Sequence, residues 1–75
     1  MTIADNIRTR RKARKMTQIE LAKRAGLSQA GLSTIEGGED NVKVETLRGI
    51  ATALGCATVD LLPEEDKRLQ SLTRL

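Results

Sequence analysis

The sequence predicts an all-α fold, and three observations carry that prediction. Residues 17–26 and 28–38 each open with a side chain suited to capping a helix and close on glycine, so two short helices follow one another with almost no linker. Leu47, Ile50, Ala51 and Leu54 repeat at the i, i+3, i+4, i+7 spacing of an amphipathic helix, and Gly55 closes the run. Ile3 and Ile7 share one face of a further helix that runs to about Arg14.

In chain order, Lys15 and Met16 form the turn behind the first helix. In the second, Thr17 is placed to accept from the backbone N–H of Glu20 while the Glu20 carboxylate reaches back to Thr17, and Met16 and Leu21 stand at staple spacing. This helix buries Leu21, Ala22 and Ala25, and Gly26 stops it in a left-handed conformation. Ser28 caps the third helix, Leu27 and Leu32 repeat the staple spacing, Leu32 and Ile35 form its buried stripe, and Gly37-Gly38 ends it. Two helices joined by so tight a turn, with small Ala22 at the crossing, make a helix-turn-helix over Gln18 to Gly37. Gly31 lies inside the third helix, where glycine costs roughly 1 kcal/mol relative to alanine. A short helix at about Thr58–Leu62 completes the core through Leu61 or Leu62. Pro63-Glu64-Glu65-Asp66 has the form of a fresh helix start, proline first and acids at the positive end. The expected division is thus a domain over 1–63 and a tail over 64–75, the tail being a candidate sixth helix with Leu69, Leu72 and Leu75 on one face.

Seventy-five residues make one domain, and with no aromatic residue its core must come from Leu, Ile, Val, Ala and Met. So thin a core would gain from a dimer interface. The lack of Phe, Tyr and Trp argues against base stacking, on which single-strand and RNA readers rely. Cys56 is the sole cysteine and there is no histidine, so neither an internal disulfide nor a His/Cys metal site is expected, and no cofactor is implied. Cys56 follows the Gly55 stop and reads as apolar filler. The start lacks a signal-peptide run and no stretch approaches transmembrane length, so a cytoplasmic protein is the expectation. No glycine-rich phosphate loop or metal-ligand cluster supports an enzyme, and the paired acids Glu39-Asp40 and Glu64-Glu65 fall in surface segments. The charge is polarised: residues 1–35 carry +6 and residues 36–75 carry −3, which gives the first half a basic face for a polyanion.

Thr17-Gln18-Ile19-Glu20-Leu21-Ala22, Ala25-Gly26-Leu27-Ser28-Gln29 and Leu32-Ser33-Thr34-Ile35-Glu36-Gly37 resemble the XRE family, the lambda/434-type repressor and Cro helix-turn-helix proteins. The likeness continues through Glu45-Thr46-Leu47 and Ile50-Ala51-Thr52-Ala53-Leu54-Gly55 to Leu61-Leu62, and so covers about residues 3–63. It implies a compact five-helix bundle that binds operator DNA, usually as a symmetric dimer on a palindromic site, with the second helix of the motif in the major groove. By this resemblance Gln29, Ala30, Ser33 and Thr34 match base-reading positions, Gln18 and Ser28 match positions that hold phosphate, and Arg11 and Glu36 match a pair linking the first helix to the end of the reader.

The residue chemistry agrees with that transfer. A glutamine amide donates and accepts together, so Gln29 suits an adenine edge; Ala30 offers a methyl to thymine, and Ser33 and Thr34 are adaptable hydroxyls. Gln18 stands in a first helical turn, where side chain, backbone N–H and dipole favour phosphate. A helix spreads Arg8, Arg10, Lys12, Arg14 and Lys15 around its axis, and Arg10 and Arg14 are the ones expected near phosphate. In the loop after the reader Glu39 and Asp40 would repel phosphate, leaving Asn41 and Lys43 as its candidate contacts. The alternative expectation is an antitoxin or adaptor on the same fold, whose acidic second half and leucine tail meet a partner toxin protein.

Overall fold

The computed structural model describes residues 2–38 and 42–63. These form four α-helices, α1 (Ile3–Ala13), α2 (Gln18–Ala25), α3 (Gln29–Glu36) and α4 (Val44–Leu54), and a single 3₁₀ turn over Thr58–Leu61. The fifth helix expected at Thr58–Leu62 is therefore one turn of the tighter kind. The stretch 56–62 is all that lies between the Gly55 stop and Pro63, and its bonds from the Asp60 N–H to the Ala57 carbonyl (3.0 Å) and from the Leu62 N–H to the Val59 carbonyl (3.2 Å) skip only three residues. The candidate sixth helix over 64–75 lies outside the described residues.

Local chemistry sets where three of the four α-helices begin. Thr17 accepts from the Glu20 N–H and Glu20 accepts from the Thr17 N–H, both at 3.1 Å, which is the capping box expected from the sequence. Thr2 and Asp5 close an equivalent box at the head of α1, at 3.1 and 3.2 Å. Ser28 Oγ accepts from the Gly31 N–H at 3.0 Å. Each such cap satisfies an N–H that has no partner in its own helix and stabilises it by about 1 kcal/mol.

Three helices end alike. The N–H of Met16, Leu27 and Cys56 reaches back five residues, to the carbonyls of Arg11, Ala22 and Ala51 at 3.1, 2.8 and 2.9 Å. That closure requires a left-handed residue just before it. Gly26 (φ +74°) and Gly55 (φ +72°) supply two of them, as the sequence signals. The third is Lys15, the one non-glycine residue with positive φ (+56°) among the described residues. α3 departs from this pattern: Gly37 stays right-handed at φ −81° and Gly38 makes the turn at φ +112°.

The core gathers Ile7, Met16, Leu21, Ala22, Leu32, Ile35, Leu47, Ile50, Ala51, Leu54 and Leu61. Every secondary element contributes, so no single helix can leave without exposing the others' apolar stripes. Of the two leucines in the final turn, Leu61 is fully buried and Leu62 half-buried. That turn is tied to α1 by the Asn6 amide, which donates to the carbonyls of Leu61 (3.0 Å) and Leu62 (3.1 Å).

The left-handed residues give opposite mutational signs. Lys15→Gly is expected to raise stability by about 1 kcal/mol, because a side chain in that conformation costs about 1–2 kcal/mol that glycine avoids. Gly26→Ala is expected to lower it by a similar amount. Urea unfolding midpoints of the two variants check both signs together.

Candidate nucleic-acid interface

The exposed face of α3 follows from the burial of its other side. Leu32, Ile35 and Glu36 are buried, which leaves Gln29, Ala30, Ser33 and Thr34 exposed as two pairs one helical turn apart. The Thr34 hydroxyl donates to the Ala30 carbonyl at 3.0 Å, so its remaining capacity toward a ligand is as an acceptor. Ser28 caps α3 through its acceptor side and keeps its own O–H free to donate outward, which suits it to a phosphate oxygen. Gly31 keeps helical backbone, and among the described residues a methyl there would meet, beyond its own helix backbone and chain neighbours, the Ser28 Oγ at 3.1 Å.

What holds α3 in place is a charged cluster at its C-terminal end. Glu36 is only 3% exposed. Arg11 grips it in fork geometry, Nε to Oε2 at 2.8 Å and Nη2 to Oε1 at 3.1 Å, and spends its remaining nitrogen on the Met16 carbonyl at 2.9 Å. The Gln18 amide donates to Glu36 Oε1 at 3.2 Å. Burying a carboxylate is costly unless it is paired and hydrogen-bonded, and these donors supply both conditions. The expected link between Arg11 and Glu36 is thus present in the structure, and Gln18 belongs to it as well. Gln18 still has a second amide N–H and a backbone N–H in the first turn of α2 to offer a phosphate.

The other positions expected near phosphate are spread more widely. The Arg14 guanidinium covers Gly55 at the end of α4 so closely that a methyl there would fall 2.5 Å from Nη2, and the charges of both Arg10 and Arg14 are felt at Cys56. They are not drawn into the Glu36 cluster. Cys56 is half-buried against the core; burial pushes its thiol pKa up, against the pull of those two cations. Lys43 is exposed at the head of α4. Asn41, Glu39 and Asp40 lie outside the described residues. Arg8, whose side chain is 43% exposed, also pairs with Asp5 and donates from Nη1 to the Glu36 backbone carbonyl at 3.1 Å. The capping bonds from Thr2 and Thr17 hold the carboxyls of Asp5 and Glu20 below their ordinary pKa. Thr2-x-x-Asp5 carries the same signature as Thr17-x-x-Glu20, so the first cap was findable in the sequence. The reach of Arg8 across to α3 left no such mark.

Two packed helices joined through Gly26–Ser28, the second held by a buried ion pair with its polar face outward, define a helix-turn-helix DNA-binding domain. The helix-turn-helix family HTH_3 matches residues 7–61, and the chain belongs to it. An immunity repressor protein of Bacillus phage phi105 is 40% identical over 65 residues, covering 87% of this chain and 45% of the phage protein. The chain therefore spans less than half of that repressor. An uncharacterized HTH-type transcriptional regulator of Sinorhizobium fredii is 37% identical over 65 residues, covering 87% of this chain and 84% of its own length. Among solved structures, a chain of the SinR protein/SinI protein complex matches with a TM-score of 0.80 at 27% identity, over 97% of this chain and 76% of that one. The family is one of transcription regulators rather than enzymes. Among the described residues no helix is long and apolar enough to cross a membrane.

Truncating the arginine of the buried pair strands a carboxylate. Arg11→Ala is expected to cost about 3 kcal/mol, the low end for a broken buried pair because the arginine is partly wetted. Exposed Lys12→Ala should stay within about 0.5 kcal/mol. Equal losses in chemical unfolding would refute the structural importance of the link.

Proposed function

We propose that this chain represses transcription by binding double-stranded DNA in a sequence-specific way, with α3 in the major groove and Gln29, Ala30, Ser33 and Thr34 reading base edges. Family membership supports DNA binding and transcription regulation, and the phage immunity repressor supports repression. The observation that carries the reading is the exposed polar face of α3 on a helix fixed from behind by Leu32, Ile35 and Glu36. Gln29 takes an adenine edge in this reading, and Ala30 meets a thymine methyl. Gln18, Ser28 and Lys43 hold the phosphates, with Arg10, Arg14 and Asn41 as flanking contacts. The binding domain is residues 1–63. It works in the cytoplasm as a homodimer on a palindromic operator, since a core without aromatics gains from a second copy and two-fold protein symmetry is mirrored in the site.

A second reading has one observation in its favour: the matched SinR/SinI chain was solved in complex with another protein. On that reading the chain's main task is to hold a partner protein, of which a toxin is one candidate.

Selection of bound sequences from a random duplex pool, followed by a salt titration on the winner, decides between them. A DNA reader is expected to yield a preferred, two-fold symmetric site. Its log affinity should fall with log salt at a slope of about −0.9 per phosphate neutralised. Gln29→Ala is expected to weaken that site by about 1–3 kcal/mol and to relax preference at one base pair. An enriched pool with no consensus, together with a stable hetero-complex, would favour the second reading instead.

A further inference from the structure

We propose that Arg8 is a positioning residue for the reading helix, joining the last carbonyl of α3 to the first turn of α1 and so setting the angle at which α3 meets its ligand. The inference rests on the reading of α3 as the base-contacting element. The last carbonyls of a helix have no partner within it. At the end of α3, Ser33 and Ile35 lend their carbonyls to the N–H groups of Gly37 (2.9 Å) and Gly38 (3.2 Å). The Glu36 carbonyl receives Arg8 Nη1 at 3.1 Å, which also sets a positive charge against the negative end of the helix dipole.

The second arm of the same guanidinium is anchored on α1. Its Nη2 pairs with Asp5 Oδ1, and Asp5 is itself held by Thr2 through both its carboxylate and its backbone N–H. One turn further along α1, Arg11 grips the Glu36 side chain. A single contact at the end of α3 would act as a pivot. Two contacts from successive turns of α1, one on the backbone and one on the carboxylate, resist rotation about either. α3 has eight residues, about 12 Å of helix, so a rotation at Glu36 is felt at once by Thr34 and Ser33. Arg8 commits two of its five N–H donors to these partners, so the salt slope is what separates bracing from direct phosphate contact.

The test uses the full chain and the duplex selected by the wild type. Affinity for that duplex and for a scrambled one is measured over a salt series for wild type, Arg8→Ala, Arg8→Lys and Asp5→Asn, well below each variant's melting temperature. Arg8→Ala is expected to lower the ratio of selected to scrambled affinity about tenfold while leaving the salt slope unchanged. Asp5→Asn should move the same ratio in the same direction by less. If Arg8→Ala does not fold, Arg8→Lys carries the comparison, since it keeps the charge on a single donor nitrogen and loses the fork. An equal loss on both duplexes, with the slope reduced by about 0.9, would make Arg8 a direct phosphate ligand and overturn the proposal. A lowered melting temperature with an unchanged ratio would overturn it too, leaving Arg8 a stabilising residue only. A wild type with no preferred duplex removes the base-reading role of α3, and this proposal with it, before any variant is made.

Discussion

Glu36 is a carboxylate enclosed at the meeting point of three helices in a small aliphatic bundle, and the surrounding structure is arranged to make that tolerable. It is the sole buried charged side chain among the described residues. Arg11 from α1 and Gln18 from α2 converge on its two oxygens, while Arg8 takes its backbone carbonyl. A pair of this kind adds little to stability over a well-packed apolar substitute, yet it has a strong geometric demand: donors and acceptor must meet at fixed positions or the charge is stranded. Leucines can satisfy a core in several arrangements. The Glu36 cluster admits few, and it lies at the C-terminal end of α3, the helix proposed to meet DNA.

The remainder of the fold divides the labour around that constraint. Caps at Thr2, Thr17 and Ser28 decide where helices begin, and left-handed residues decide where three of them stop. The aliphatic core then holds the helices together by apolar burial. The cations of α1 and its C-cap have different partners. Arg8 and Arg11 serve α3, whereas Arg14 covers Gly55 at the end of α4. A basic half-chain thus becomes both an internal brace and an outer charged surface, which net charge alone does not distinguish.

Signals confined to a few neighbouring residues were readable directly. Thr17 with Glu20, Gly26, Ser28, Gly55 and the 47–54 stripe each specify local geometry, and α2, α3 and α4 follow them closely. The Arg11–Glu36 pair spans 25 positions, and only the family resemblance made it legible. Features outside both kinds of signal were missed. Lys15 adopts a conformation that favours glycine because the chain must turn there and Met16 must reach the core. Asn6 finds the carbonyls of Leu61 and Leu62 through tertiary contact alone, and Arg8 reaches α3 in the same way. The final turn was placed correctly but was one 3₁₀ turn, because Gly55 and Pro63 leave it no room to lengthen. On α3 the family resemblance picked out Gln29, Ala30, Ser33 and Thr34; burial of Leu32, Ile35 and Glu36 is what leaves those four exposed.

The central claim is that Arg11 and Glu36 act as a unit to hold α3 in place. A double-mutant cycle tests it most directly, with urea unfolding of wild type, Arg11→Met, Glu36→Leu and the combined variant. The account predicts that each single change is strongly destabilising while the pair together costs much less than their sum, with an interaction of at least about 1 kcal/mol. Losses that simply add, within about 0.5 kcal/mol, would contradict it.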